Sequence, residues 1–233
     1  REGPWADWTR SQYGLQSPCF WRPLVSSSWA LQEATSGIEP LALRLFNLGA
    51  HALVALLLYG LARRLGAQRS GAFLASAWIA LFPEQGGTST WLAGRTDLLC
   101  ALFLVASAWA ALGRRPLRAA PLAFLACTAK EFGFLAPLWI LVLAHARDET
   151  WRVAFARTWP AGLAVLLAFL WRRAALGSLV GGYPAQLPGL GEGLVGACEA
   201  LAGAAWLSFA ALLVLVSAGF AARVATRRAV LGA

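Results

Sequence analysis

Glu84, Arg95 and Asp97 share one polar, glycine-rich stretch, FPEQGGTSTWLAGRTDLL from Phe82 to Leu99, which is flanked on both sides by apolar sequence. Lys130-Glu131 interrupts another apolar run, and Arg22 and Arg172 adjoin two more. A charge inside a membrane-length apolar run costs about 2.5 to 3.5 kcal/mol on insertion scales unless it meets water or a partner. The residue types define the available chemistry: a cation can hold a phosphate, and a carboxylate can accept a proton. Lys130 is the single lysine among 20 basic residues. Its compact ammonium fits a phosphate ligand, or half of a buried ion pair with Glu131 or another carboxylate. Arg95 and Asp97 read as an internal pair that fixes their loop. Arg22, in FWRPL, reads either as a ligand contact or as an anchor to lipid headgroups.

The elements that must position these groups follow from composition. The chain has 233 residues, is 59% hydrophobic and only 13% charged, and contains 12 tryptophans. That balance predicts an all-α integral membrane protein that crosses the bilayer several times. The net charge of +9 does not point to nucleic acid, because the arginines cluster at the ends of apolar runs instead of forming one basic face. Residues 1–37 are polar and aromatic and read as an interfacial segment, whereas 38–233 read as a polytopic transmembrane domain.

The first clear span is Ile38 to Leu61, closed by Arg63, Arg64 and Arg69. Ser70 to Phe82 and Leu98 to Leu112 flank the polar stretch, and Arg114, Arg115 and Arg118 follow. Leu117 to Ala146 is apolar apart from Lys130-Glu131, and precedes Arg147, Arg152 and Arg157. Thr158 to Leu176 and Leu194 to Ala222 complete the series, the last followed by Arg223, Arg227 and Arg228. Short loops rich in arginine stay cytoplasmic. With all of these clusters inside, Ser70 to Leu112 and Leu117 to Ala146 must each leave and return, which makes about seven transmembrane or partly spanning helices, two short outward-pointing hairpins among them. The hairpin arms, about 12 to 15 residues or about 18 to 23 Å, fall short of a hydrocarbon core of about 30 Å. Their polar turns, Pro83 to Asp97 and Lys130-Glu131, therefore line a cavity open to the outside. The alternative for the second hairpin is one long helix that buries Lys130-Glu131.

Arg44, Asn47 and His51 are spaced to share one face of the first span, where they form either a ligand site or a polar seam between helices. Cys100, Cys127 and Cys198 lie in or beside apolar segments and Cys19 in a polar one. Their spacing suits neither a disulfide framework nor a zinc site. Gly191, Gly193 and Gly196 satisfy GxGxxG, but no strand precedes them, so no dinucleotide site is expected.

FWRPL at Phe20 to Leu24, NLGAH at Asn47 to His51, Pro83 with Trp91, GRTDLL at Gly94 to Leu99 and AKE at Ala129 to Glu131 occur in an order that resembles the polytopic GT-C glycosyltransferases. Among these the chain is most similar to the protein O-mannosyltransferase-like group with bacterial and animal tetratricopeptide-bearing members. The likeness runs from Phe20 to Tyr183. It implies transfer of a sugar from a polyprenyl-phosphate donor to a hydroxyl of a glycan, lipid or protein acceptor, at the outer face of a multi-pass cell-membrane protein such as one of a bacterial inner membrane. It further implies a donor-phosphate site built from Lys130 with Arg22, Arg95 and Arg172, cavity roles for Glu84, Asp97, Glu131, Asn47 and His51, and no cofactor or obligatory metal. A transporter or flippase of an amphipathic anion, or a non-catalytic assembly partner, would use a similar cavity.

Two positions depart from the group's pattern. Phe82 stands where a His is usual, and Gly87 where a Glu is usual. The chain contains no Met and lacks the first helix expected from the resemblance, so it reads as a fragment. The group's acidic pair lies directly after that helix. Within this chain Asp7, between Trp5 and Trp8, is the candidate base, with an acid upstream of Arg1 favoured over it.

The topology has a direct test. Single-cysteine replacements of Thr88 and Tyr183, in a cysteine-free background, are expected to label with an impermeant thiol reagent in intact cells. Replacements of Arg64, Arg115, Arg152 and Arg227 are expected to stay unlabelled, and labelling at Arg115 excludes the two-hairpin arrangement.

Overall fold

The structure, a computed structural model, describes residues 4–10, 20–82, 90–113, 115–147 and 149–177. Every regular element among them is helical. Glu84, the candidate span Leu194 to Ala222 and its arginine cluster lie outside the described residues.

Helix α1 (Pro23–Ser36) starts on a proline, whose missing N–H is harmless in a first turn, and stops at Gly37 with φ of 70°. Helix α2 (Pro40–Arg64) also starts on proline and ends with Arg63 and Arg64 beside its negative pole. Helices α3 (Arg69–Leu81) and α4 (Arg95–Ala111) follow, α4 being led in by a 3-10 turn at Leu92–Gly94. Helix α5 (Ala119–Ala129) ends at Lys130, whose backbone is extended. A 3-10 turn (Glu131–Leu135) leads into α6 (Ala136–His145), and α7 (Trp151–Leu176) ends at the left-handed Gly177.

Among the described residues, three segments are long and apolar enough to cross a membrane: Pro40–Arg64, Leu92–Ala111 and Trp151–Leu176. Pro116–Ala129 and Glu131–His145 are shorter apolar stretches. Packing places small residues inside and large ones outside. Ala108, Ala111, Ala119, Ala123, Ala144 and Ala161 are fully buried, whereas Leu45, Leu56, Phe73, Phe155, Leu163 and Leu170 are exposed. Alanines at the contacts let backbones approach closely, and the outward leucines and phenylalanines suit hydrocarbon.

Several expectations need adjustment. The GRTDLL residues do not form a loop tip, because Arg95 opens α4 and Asp97 lies in its first turn, where a carboxylate meets the positive end of the helix dipole. The arms of the first expected hairpin do not pair with each other; α3 packs on α2, and α4 packs on α5 and α2. The cause is polar: His51 Nε2 donates to the Ala80 carbonyl at 3.0 Å, and Asn47 Nδ2 donates to the Trp91 carbonyl at 3.2 Å. Helix α2 thus binds the end of one arm and the approach to the other, and α3 reaches only the level of His51. Asn47 and His51 lie in this seam, but Arg44 is exposed.

The run Leu117 to Ala146 is interrupted at Lys130. Gly133 folds back against the backbone of Ala126 and Cys127, which a continuous helix would separate by roughly 10 Å. Helices α5 and α6 then both pack on α7 and α4. Arg64, Arg115, Arg118, Arg147 and Arg157 consequently meet at one end of the bundle. Asp97, Lys130 and Arg172 lie toward the other, roughly 20 Å along the helices.

A Cβ at Gly133 would collide with the carbonyl carbon of Ala126. Gly133→Ala is expected to lower the thermal midpoint of the detergent-solubilised chain, equivalent to about 1 to 3 kcal/mol of overpacking. Gly49→Ala, where nothing lies within 4 Å, is expected to leave that midpoint unchanged or raise it.

Candidate functional site

Four segments distant in sequence converge at the end of the bundle away from the arginine clusters. Lys130 Nζ, carried by the extended residue between α5 and the 3-10 turn, pairs with Asp97 Oδ1 in the first turn of α4. Arg22, just before α1, donates through Nη2 to Glu131 Oε2 at 3.2 Å and stacks over Phe20 at 4.2 Å. Arg172 Nη2, near the end of α7, lies 3.8 Å from Glu131 Oε1. Glu131 is thus bracketed by two guanidinium groups. Lys130, Arg22 and Arg172 face Asp97 and Glu131, three cations against two carboxylates.

The expected partnership of Arg95 with Asp97 is not formed. Arg95 is wholly buried and turns the other way, donating from Nε to Asn47 Oδ1 at 3.1 Å and from Nη2 to Gln32 Oε1 at 2.5 Å. Its guanidinium stacks between Trp29 at 3.8 Å and Phe46 at 4.2 Å. The knot ties α1, α2 and α4 together, and Arg95 therefore stands apart from the Lys130 group. The physical reason is geometric: two steps along a helix aim residues 95 and 97 at different neighbours, about 200° apart.

Asp7 lies in the 3-10 turn Pro4–Trp8. The carbonyl of Trp8 accepts from Trp21 Nε1 at 3.2 Å and from Trp171 Nε1 at 2.8 Å, while Trp8 Nε1 donates to Ser27 Oγ at 3.0 Å. This docks the turn against α1 and the end of α7, next to Arg172. Among the described residues Asp7 forms no ion pair, unlike Asp97 and Glu131.

Gln32, Trp29 and Trp171 take part in this architecture without having stood out in the sequence. Trp29 and Gln32 carry a local signal, since spacing i, i+3 puts an aromatic face and an amide on one side of α1. Trp171 has none, because its partner Trp8 is supplied from the far end of the chain. No group of three or more His, Cys, Asp or Glu residues that could hold a metal ion occurs among the described residues. Comparison of the chain with protein-family models, curated proteins and solved structures finds no match.

The two charge assemblies differ in burial, and so in what their removal does. The Lys130 and Asp97 side chains are 25% and 45% exposed, so their pair contributes about 0 to 1 kcal/mol. Asp97→Asn is expected to shift the thermal midpoint little. Arg95→Ala is expected to lower it sharply, and a double-mutant cycle of Arg95 with Gln32 should return a coupling of about 0.5 to 3 kcal/mol. A coupling near zero would remove the knot as a stabilising unit.

Proposed function

We propose that the chain belongs to a membrane glycosyltransferase that transfers a sugar from a polyprenyl-phosphate donor to an acceptor hydroxyl at the outer membrane face. The single observation that supports this reading is the convergence of Lys130, Arg22 and Arg172 with Glu131 and Asp97 at one end of a bundle whose arginine-rich loops gather at the other. The positive-inside rule assigns the arginine end to the cytoplasm and the mixed-charge end to the outside. The resemblance in FWRPL, GRTDLL and AKE supplies the reaction class, because these blocks carry Arg22, Asp97, Lys130 and Glu131.

The chemistry of transfer makes two demands. The phosphate that departs with the polyprenyl chain gains negative charge in the transition state, and fixed cations stabilise it as it forms. Lys130, Arg22 and Arg172 fill that role. Their carboxylate partners hold them in place between turnovers, and a phosphate competes with a partly exposed carboxylate for the same N–H donors. The acceptor hydroxyl needs a base within about 2.6 to 3.2 Å, directly or through one water. Asp7 is the candidate within this chain, being outside the ion pairs that engage Asp97 and Glu131. Arg95 is engaged by Gln32 and Asn47 and stands apart from these three cations.

A second reading draws on the same ion pairs. A closed network of Lys130 with Asp97 and of Glu131 with two arginines also suits a purely structural clamp in a non-catalytic assembly partner.

Transfer of labelled sugar from polyprenyl phosphate by the complete gene product separates these readings. Lys130→Ala is expected to lower donor use by roughly tenfold or more, as loss of one charge-assisted phosphate contact implies, with the thermal midpoint nearly unchanged. If Lys130→Ala instead lowers the midpoint and the folded fraction transfers at the wild-type rate, Lys130 is a structural ion-pair partner and not a phosphate ligand, whereas absence of transfer by the unaltered protein supports the non-catalytic reading.

A further inference from the structure

The arginine-rich end of the bundle carries an open cavity of about 600 Å³ lined by Arg64, Arg115, Arg118, Arg147, Arg157 and Trp109. Three of its arginines are held by backbone. Arg64 stacks on Trp109 at 3.7 Å and donates to the Trp109 carbonyl. Arg147 Nη1 donates to the Leu112 carbonyl at 2.9 Å, and Arg157 Nη1 donates to those of Ala111 and Gly113 at 3.0 and 2.8 Å. These carbonyls belong to the C-terminal end of α4, where a helix is short of donors and negatively poled. The Arg64 guanidinium lies close over Gly113, where a Cβ would displace Nη1.

Capping accounts for those three arginines but leaves the charge unbalanced. Glu149 pairs with Arg157 at 2.6 Å and with Arg147 at 3.5 Å, and no other acid pairs with this group among the described residues. Arg115 and Arg118 bracket a 3-10 turn (Pro116–Arg118) at the rim and are exposed, without a hydrogen bond or ion pair from their side chains to a described residue. Among the described residues, five guanidinium groups therefore line the cavity, and one carboxylate pairs with two of them. Guanidinium forks match phosphate oxygens two at a time.

The level of the cavity selects the source of that phosphate. It lies at the ends of helices long enough to cross a membrane, beside Trp109 at 37% exposure, and tryptophan at helix ends marks the headgroup layer. Basic pockets between membrane helices suit anionic headgroups, with about 1 kcal/mol from each arginine near the surface. We propose that this cavity binds the phosphate-bearing headgroup of an anionic membrane lipid, with Arg115 and Arg118 closing on it from the rim.

The test is titration of the full chain, in zwitterionic micelles, with fluorescent phosphatidylglycerol and, in parallel, fluorescent phosphatidylcholine. Phosphatidylglycerol is expected to bind at least about tenfold more tightly, and Arg115→Gln with Arg118→Gln to weaken it by about thirtyfold. Arg69→Gln with Arg152→Gln removes the same charge from the same end, outside the cavity, and is expected to weaken binding less than about threefold. The charge-conserving pair Arg115→Lys with Arg118→Lys should still weaken it several-fold, because the forked donors are lost. Equal losses in the two glutamine pairs, or no preference over phosphatidylcholine, overturn the proposal. Displacement of the lipid by inorganic phosphate beyond that by chloride of equal ionic strength assigns the cavity to a soluble anion and overturns it also.

Discussion

A guanidinium sealed in an apolar bundle must find its hydrogen-bond acceptors in the protein, and Arg95 draws them from two other helices, with Nη1 left without one among the described residues. Gln32 from α1, and Asn47 and the Leu43 carbonyl from α2, accept its hydrogen bonds, while Trp29 and Phe46 cover its faces. Neither amide is committed to Arg95 alone: Asn47 Nδ2 reaches the Trp91 carbonyl, and Gln32 Nε2 the Ala42 carbonyl at 2.8 Å. The start of α4 is thereby held at a set height on α2. With it is set the place of Asp97, two residues on, which receives Lys130.

This dependence runs through the rest of the bundle. Helix α2 serves as the post to which α3 and α4 are attached by polar contacts, and the alanine-lined faces of α4, α5, α6 and α7 then close by small-residue packing. In hydrocarbon, apolar burial supplies little force between helices, because lipid tails are as apolar as leucine. Close contact at alanine and a few hydrogen bonds must do more of the ordering. The structure has both, with the hydrogen bonds concentrated in the half of α2 that faces the mixed-charge end.

The ends of the bundle are electrostatically unlike. At one, cations and carboxylates alternate, so that each charge has a neighbour of opposite sign and the surplus is small. At the other, arginines cap α4 and, among the described residues, only Arg147 and Arg157 meet a carboxylate, that of Glu149. A balanced, partly exposed network can exchange partners with an incoming anion, which suits turnover. An unbalanced one holds an anion for as long as the charge excess lasts, which suits a resident lipid.

Much of the helical plan was legible in the sequence because transfer energy acts on short runs of chain. The spans α2 and α7 follow from apolar length alone, and the interruption at Lys130 follows from the cost of a charge inside such a run. The arginine clusters announced the shared end of the bundle through their position after apolar segments. Pairing was beyond that reach. Arg95 and Asp97 are neighbours in sequence and look like partners, yet the helix turns them toward different elements, and Arg95 finds Gln32 and Asn47 while Asp97 finds Lys130. Nor could the meeting of Arg22 and Arg172 on Glu131 be read locally, since each arrives on a separate segment. By itself the sequence determined an apolar helical chain with its charges at run ends and interruptions. Which charge meets which was decided by tertiary structure, because ion pairs depend on distances of a few ångströms that only the packing of distant helices can set.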